Sequence, residues 1–190
     1  MWAQAHLSLV LASAAMADMT GVSIGLRGAS GNGPDPASWN SWSPEQALTV
    51  GPGVEYSYQS IVTVDLAAST IRVGVTSISP VFWVGYTDFN GFIFRDVNDA
   101  LPDFTGISLG QFVGTSWGWV VASVYDRDTL MINFGPTNVQ GQQALLFYNG
   151  NFGEFNVTFA PAPGALTLLV VAVVAQRRGR AAARSTCVGP

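Results

Sequence analysis

The chain has 190 residues, with eight arginines, no lysine, twelve acidic residues, one histidine and one cysteine, and its formal charge is −4. Residues 18–160 lack the clustered cations that phosphate backbones and anionic membranes require, which argues against nucleic-acid binding. Residues 18–160 contain no histidine, cysteine or lysine, which excludes Ser-His-Asp and Cys-His catalysis, His or Cys zinc sites and Schiff-base lysines.

Residues 1–17, MWAQAHLSLVLASAAMA, are an apolar run that ends in small residues at Ala15 and Ala17. This pattern predicts a secretory signal peptide that signal peptidase cleaves after Ala17. The alternative is a buried first strand. The remaining body, residues 18–160, has the length of one domain and a charge of −8, from twelve acidic residues and four arginines. It has no disulfide to stabilise it, so packing must do so.

The first half of the body predicts strands around one long loop. Val22, Ile24 and Leu26 alternate with small or polar residues, as in a half-buried strand. Residues 28–45, GASGNGPDPASWNSWSPE, are rich in Gly, Pro, Asn and Ser and predict a loop without regular structure. Strands are expected at 47–50, 54–58, 61–66 and 71–75, the last two forming a hairpin.

The second half continues the same pattern. Strands are expected at 81–86 and 92–95, joined through a turn at Asn90 and Gly91, because Asn-Gly readily adopts positive φ angles. A second hairpin pairs 119–124 with 129–134, and strands 143–148 and 155–159 flank a turn at 149–151. About nine or ten short strands at this spacing predict one all-β domain, an antiparallel β-sandwich or jelly roll.

Four tryptophans are candidates for ligand binding. Trp39 and Trp42 fall in the predicted polar loop, where exposed indoles could stack on sugar rings. Trp117 and Trp119 are two residues apart, so in a strand they would share one face. The alternatives are that the loop pair folds back to cap the sandwich and that the other pair packs in the core or on the sheet.

Carboxylates are the other chemical resource. Asp96, Asn98 and Asp99 begin like an acidic calcium loop but lack its glycine and closing glutamate, so calcium is a speculative ligand and solvated loop carboxylates are the alternative. A glycosidase needs two carboxyl groups across the scissile bond. The only candidates for it are Asp88, Asp96, Asp99 and Asp103. We expect no catalytic residues and no required cofactor.

The C-terminal stretch at 160–180, APAPGALTLLVVAVVAQRRGR, combines prolines, an apolar segment at 165–175 and arginines. As a helix the apolar segment would be about 16 Å long, short for a hydrocarbon core of about 30 Å, so brief anchoring suits it better than a permanent span. Arginines kept on the cytoplasmic side would leave everything before Pro161 outside. The alternatives are a plain short membrane tail and a buried apolar helix.

This order of features rests on Pro161, Pro163, Gly164, Arg177, Arg178 and Arg180. It resembles the PEP-CTERM sorting signal, with Ala162 where that family usually has glutamate and ten further residues, 181–190, after Arg180. The resemblance covers the tail alone. It implies a bacterial source and an exosortase-type membrane enzyme that cleaves the tail and releases the exported body or attaches it to the cell surface.

The resulting expectation is an exported protein of the cell envelope or its surroundings, transiently anchored by its tail. Its first candidate function is structural or adhesive, at the cell surface or in an extracellular matrix. The alternative is a carbohydrate-binding module that uses the tryptophans on extracellular polysaccharide. A carboxylate glycosidase is the third.

Overall fold

The computed structural model describes residues 17–84, 87–135 and 144–161. These residues are all-β and antiparallel, and the longest helical segment among them is a five-residue 3-10 turn, Thr115–Trp119. The twelve strands are β1 (Ser23–Gly31), β2 (Asn40–Thr49), β3 (Val54–Tyr58), β4 (Val62–Leu66), β5 (Thr70–Val75), β6 (Val81–Val84), β7 (Phe89–Asp96), β8 (Phe104–Val113), β9 (Val121–Asp126), β10 (Thr129–Asn133), β11 (Ala144–Phe147) and β12 (Phe152–Phe159).

The strands form two five-stranded sheets and one small sheet. Sheet A has the order β2-β1-β7-β10-β9, and sheet B has the order β3-β4-β5-β12-β8. A two-stranded sheet pairs β11 with β6. The central strand β7 of sheet A pairs with β1 and β10, and the central strand β5 of sheet B pairs with β12; these partners are distant in sequence, so sheet formation depends on tertiary contacts.

One hydrophobic cluster takes side chains from all three sheets. Its members alternate along the strands, with the inward residues of a strand at every second position, as the pleat requires. The fully buried residues with the largest side chains are Trp117, Phe92, Phe94, Phe134, Phe147 and Phe155. Aromatic burial of this extent supplies much of the free energy of folding in a body without disulfides.

Several sequence expectations are confirmed. Strand β3 has the expected bounds, and β4 and β5 form the expected antiparallel hairpin, with Leu66 opposite Ile71. Strands β9 and β10 form the second one. The expected strand at 22–26 exists but is longer, because β1 extends through Gly31 and pairs with β7 along its whole length from Ile24.

The prediction of an irregular loop at 28–45 was wrong at both ends. Residues 28–31 belong to β1, and β2 begins at Asn40. Gly28 permits this pairing, because a Cβ there would lie 2.3 Å from the Trp42 ring, which packs against the core. Pro44 is tolerated because β2 is an edge strand and lies next to a register shift.

The predicted turn at Asn90 and Gly91 was also wrong. Both residues lie inside β7, and β6 pairs with β11 instead of β7. Gly91 is required there by close approach, since a Cβ would lie 1.9 Å from the carbonyl oxygen of Ile132 on β10. Strand β8 was not predicted, because its interior residues, TGISLGQ, carry too few large apolar side chains to produce a clear alternation.

Residues 17–160 form one compact unit, from Ala17 to Ala160. Of the predicted signal-peptide cleavage residues, Ala17 is described and Ala15 lies outside the described residues. In the predicted sorting signal, Pro161 is described and exposed, whereas Pro163, Gly164 and the arginine cluster lie outside the described residues. The part of the chain that is described has no helix long and apolar enough to cross a membrane.

Candidate functional site

The outer face of sheet A carries a second apolar cluster, separate from the core. Ala29, Trp39, Phe89 and Ile93 form it, with Met131 packed against them. Trp39 stacks on Phe89 with ring centroids 4.5 Å apart and planes 17° apart. This stack holds the segment between β1 and β2 down on the sheet.

Hydrogen bonds fix the same segment from several sides. The Trp39 indole Nε1 donates to the carbonyl oxygen of Gly33 at 3.2 Å, and Arg27 Nη2 donates to the carbonyl oxygen of Pro36 at 2.7 Å. Gly33 N donates to Asp88 Oδ2 at 2.9 Å, which ties the segment to the start of β7. These contacts make the β1–β2 connection a fixed wall on the face of the sheet.

Between this wall and strand β9 lies a groove of about 240 Å³. Its wall is the 3-10 turn Pro36–Ser38 with the preceding Asp35, and its opposite side is Tyr125. The residues that line it are Gly25, Arg27, Asp35, Pro36, Ala37, Glu45, Ile93, Arg95, Tyr125 and Thr129.

The groove concentrates charge of both signs. It contains two of the four arginines of the body, Arg27 and Arg95, together with the carboxylates of Asp35 and Glu45. Arg95 on β7 forms an ion pair with Glu45 on β2, across the intervening strand β1. The formal charge of these four groups sums to zero, in a body whose formal charge is −8.

Gly25 makes room for the carboxylate of Glu45. A Cβ at Gly25 would lie 2.5 Å from Glu45 Oε1, so only glycine lets the glutamate side chain lie across β1 toward Arg95. Asp35 Oδ1 accepts a hydrogen bond from Ala37 N at 2.9 Å, which caps the 3-10 turn and orients the carboxylate. The local backbone therefore orients the carboxylate of Asp35, and Arg95 holds that of Glu45.

The groove can bind a ligand that has an apolar face and a rim of hydroxyl groups. Arg27 has five N–H donors, of which one is used by Pro36, and the carboxylates of Asp35 and Glu45 supply acceptors. Tyr125, with an exposed fraction of 45 %, supplies an aromatic surface beside Ile93. Aromatic walls with a few oriented polar groups are typical of small-ligand sites.

The outer face of sheet B is different. Register places Asp65 opposite Arg72 and Arg72 opposite Glu154, which forms a row of charges across β4, β5 and β12. Arg72 lies over the Phe152 ring at 3.8 Å from its centroid. Burial, and then the negative charge of Glu55, raise the pKa of Asp65 above its ordinary value, and Arg72 opposes this effect.

The expectation that Trp39 and Trp42 are exposed binding residues was wrong. Trp39 is 8 % exposed and lies under the β1–β2 segment. Trp42 packs against the core, with its ring centroid 5.0 Å from that of Tyr58 and 5.3 Å from that of Phe92. Both indoles contribute to packing, but not as a cap on one end of the sandwich: Trp39 lies with Phe89 in the second apolar cluster, and Trp42 belongs to β2 and packs against the core.

Trp117 and Trp119 do not share a strand face, because both lie in the 3-10 turn Thr115–Trp119 ahead of β9. Trp117 is fully buried against Phe134 and Phe147, whereas Trp119 has an exposed fraction of 58 %. Gly153 makes space for Trp117, since a Cβ there would lie 2.4 Å from its ring. Of the four candidate tryptophans, Trp119 alone presents a large exposed surface.

The predicted calcium residues serve the local backbone. Asp96 is 6 % exposed, and its carboxylate accepts hydrogen bonds from Leu101 N at 2.7 Å and Asn98 N at 3.3 Å. Asp99 is exposed and lies 3.9 Å from Arg127. Residues 17–84, 87–135 and 144–161 contain no group of three or more His, Cys, Asp or Glu residues placed to hold a metal ion.

The remaining glycosidase candidates also have structural partners. Asp88 binds the β1–β2 segment as described, and the main-chain oxygen of Asp103 accepts a hydrogen bond from Ala160 N at 2.8 Å. The negative charge of Asp128, and then those of Asp99 and Asp103, raise the pKa of Arg127 above its ordinary value. Arg127 therefore interacts with these loop carboxylates. The structure does not bring these aspartates into the groove.

Sequence reasoning missed every residue of the groove. Arg27 and Arg95 occupy outward positions of two paired strands, with Gly25 directly opposite Arg95. The available signal in the sequence was that two of the four arginines of the body lie at alternating positions of strands. Their convergence with Asp35 and Glu45 depends on the path of the β1–β2 connection, which local patterns do not define.

Comparisons with protein-family models, with curated proteins and with solved structures give no match to this chain.

Proposed function

We propose that this protein is an exported bacterial protein with a structural or adhesive role at the cell surface or in the extracellular matrix, and that it is not an enzyme. The observation that carries the proposal is the extent of the compact unit, Ala17 to Ala160. Its first residue, Ala17, directly precedes the predicted signal-peptidase site, and its last residue, Ala160, directly precedes the proline motif that starts at Pro161.

The architecture supports this role. Two five-stranded antiparallel sheets contribute to one core, and we propose that they form a β-sandwich of the jelly-roll kind. Sandwiches of this size are common scaffolds for surface proteins, and a body without cysteine is indifferent to the redox state of its surroundings. The fold alone does not imply a function, so the ends of the chain carry the assignment.

Delivery would follow from the two ends. Signal peptidase would remove residues 1–17, and an exosortase-type membrane enzyme would recognise the tail that resembles a PEP-CTERM signal. The apolar segment at 165–175 would hold the protein at the membrane until cleavage, with Arg177, Arg178 and Arg180 on the cytoplasmic side.

Mass spectrometry of the protein recovered from its native host tests this delivery. We expect an N-terminus at Asp18, recovery from the envelope or medium, and loss of the residues after the proline motif. Replacing Arg177, Arg178 and Arg180 by glutamine should retain the tail, whereas the same change at Arg184 should have little effect. Cytoplasmic recovery of a chain that keeps Met1 would contradict the export proposal.

The groove on sheet A favours a second function, which is binding of a neutral saccharide. A sugar ring has an apolar face for Tyr125 and Ile93, and each of its hydroxyls both donates and accepts, as Arg27 and the two carboxylates require. Because the four charged groups balance, the groove does not select an anion. Its volume of about 240 Å³ is small for an enclosed ligand, so it would hold one residue of a longer chain.

Calorimetric titration of the full chain with neutral oligosaccharides tests this function. Tyr125→Ala should weaken binding by about tenfold, which corresponds to about 1.4 kcal/mol for one lost aromatic contact. Tyr148→Ala is the matched control, since Tyr148 is 53 % exposed and does not line the groove. Equal losses in both variants, or saccharide binding by neither wild type nor variants, would remove the groove from consideration.

A further inference from the structure

One edge of the body carries almost no charge. Strand β8 is an outer strand of sheet B and β9 is an outer strand of sheet A, and the 3-10 turn Thr115–Trp119 joins them. We call this region the β8–β9 edge. Its exposed apolar side chains are Phe112, Val113, Trp119 and Val121, with exposed fractions of 48, 49, 58 and 49 %.

These four residues lie within ten positions of one another and around one turn of the chain. Phe112 and Val113 end β8, Trp119 ends the 3-10 turn, and Val121 begins β9. Because adjacent strand residues point to opposite faces, Phe112 and Val113 flank the edge on both sides. The β8–β9 edge therefore exposes two aromatic and two branched apolar side chains around one turn of the chain.

The turn that presents Trp119 is rigidly anchored. Two residues before it, Trp117 is fully buried, and Ser116 Oγ both donates to the carbonyl oxygen of Leu146 at 2.7 Å and accepts from Leu146 N at 3.1 Å. Val120 on the other side is 8 % exposed. Trp119 is thus an exposed residue between two buried ones, Trp117 and Val120.

Charge is absent from this region up to Asp126, the last residue of β9. The sequence from Phe104 to Tyr125 contains no Asp, Glu, Lys or Arg, although the body as a whole carries −8. Exposed edges are usually protected by charges, by lysine in particular, or by proline. Strand β8 has no such protection and β9 has a charge only at its last residue, Asp126, whereas the edge strand β2 contains Glu45 and Pro44.

We propose that the β8–β9 edge is a self-association surface whose partner is a second copy of this chain. Two bodies of charge −8 repel each other through their acidic surfaces, and an uncharged edge is where contact costs least electrostatic energy. Interfaces between identical subunits are rich in aromatic residues and depleted of charge at their centre, as this edge is. The proposal refines the structural role above, since paired bodies would build an assembly.

Substitution by glutamate tests the surface directly. Trp119→Glu and Val113→Glu should each weaken self-association of the full chain by at least about tenfold in sedimentation equilibrium, because each places a charge at the centre of an apolar contact. Val54→Glu is the matched control: Val54 is 58 % exposed and lies on β3, at the opposite edge of sheet B. All variants are measured in the same non-ionic detergent, so that any contribution of the apolar N-terminal and C-terminal segments to self-association is the same in each of them.

Cysteine cross-linking gives an independent readout of geometry. In a Cys187→Ser background, Thr115→Cys should yield a disulfide-linked dimer on mild oxidation, because a two-fold interface brings one residue close to its own copy. Ser57→Cys, exposed on β3, should stay monomeric. The wild-type affinity should also rise with salt, since screening weakens the repulsion between the acidic bodies.

A monomeric wild type at all concentrations and salt levels would overturn the proposal. So would association that Val54→Glu weakens as much as Trp119→Glu does, or equal cross-linking at positions 57 and 115. These measurements use purified protein, so they can fail while the export proposal stands, and they can succeed if export is disproved.

Discussion

Sheets A and B have the same number of strands and share one core, but their outer faces differ. Sheet A carries a folded-down segment with Trp39 stacked on Phe89, and a groove with balanced charges beside it. Sheet B carries a flat face with a charge row, Asp65, Arg72 and Glu154, and glycines under threonine and asparagine side chains. The segment between β1 and β2 therefore converts one of two similar sheets into a candidate binding face.

The difference teaches that the alternation of apolar residues along the strands is enough to form the core, whereas the connection between β1 and β2 forms the candidate site. Both sheets place every second side chain inward. Three contacts attach the connection between β1 and β2 to the outer face of sheet A, and the groove exists because of that attachment. Breaking the attachment should thus affect sheet A much more than an equivalent change affects sheet B.

The largest effect is expected for Trp39→Ala. Loss of a buried, stacked indole should lower the free energy of unfolding by about 3 kcal/mol and release the segment that forms the groove wall. Phe152→Ala on the outer face of sheet B should cost about 1 kcal/mol, since that ring is only half-buried under Arg72. Urea unfolding of both variants checks the difference, and equal losses would contradict it.

An intermediate effect is expected for Asp96→Ala at the end of β7. It removes the acceptor of two backbone N–H groups in a buried site and should cost about 2 kcal/mol. Asp99→Ala, three residues on and exposed, should change stability by less than about 0.5 kcal/mol. Calcium should not alter the melting temperature of the wild type. A rise in the wild type that both variants lose would restore the ion site.

The smallest effect is expected for Asp65→Asn on sheet B. Because the folded state raises the pKa of Asp65, the native protein binds the proton more readily than the unfolded chain, and stability falls as pH rises through that window. Asn should therefore raise the melting temperature slightly at neutral pH, and the gain should vanish once the pH is below the unfolded pKa of about 3.9. A loss of stability at neutral pH would show that Asp65 is held by favourable charges instead.

The sequence was sufficient for the fold class and for most strands, because alternation in segments such as 62–66 and 71–75 is a local signal. It was insufficient for β8, whose glycines interrupt the alternation of apolar residues. It was also insufficient for the pairing of β6 with β11, because these two strands are distant in sequence. The Asn90–Gly91 pair looked like a turn, yet Gly91 is glycine because β10 passes too close for a side chain.

The site was less predictable than the fold. Tryptophans in a polar stretch indicated exposed binding residues, but Trp39 and Trp42 are placed by Gly31 and Gly28, which leave space for the two rings. Arg27, Arg95, Asp35 and Glu45 are spread over residues 27 to 95 of the chain. Their proximity depends on register and on the fixed connection, neither of which any single stretch of sequence encodes.

The most direct measurement compares one substitution on the two outer faces. Arg27→Met removes a donor of the groove on sheet A, and Arg72→Met removes the matching arginine of sheet B, and both leave a long side chain. On columns of an insoluble neutral polysaccharide, wild type and Arg72→Met should be retained equally, and Arg27→Met should bind about tenfold more weakly. Equal retention of all three proteins would contradict the assignment of sheet A as the binding face.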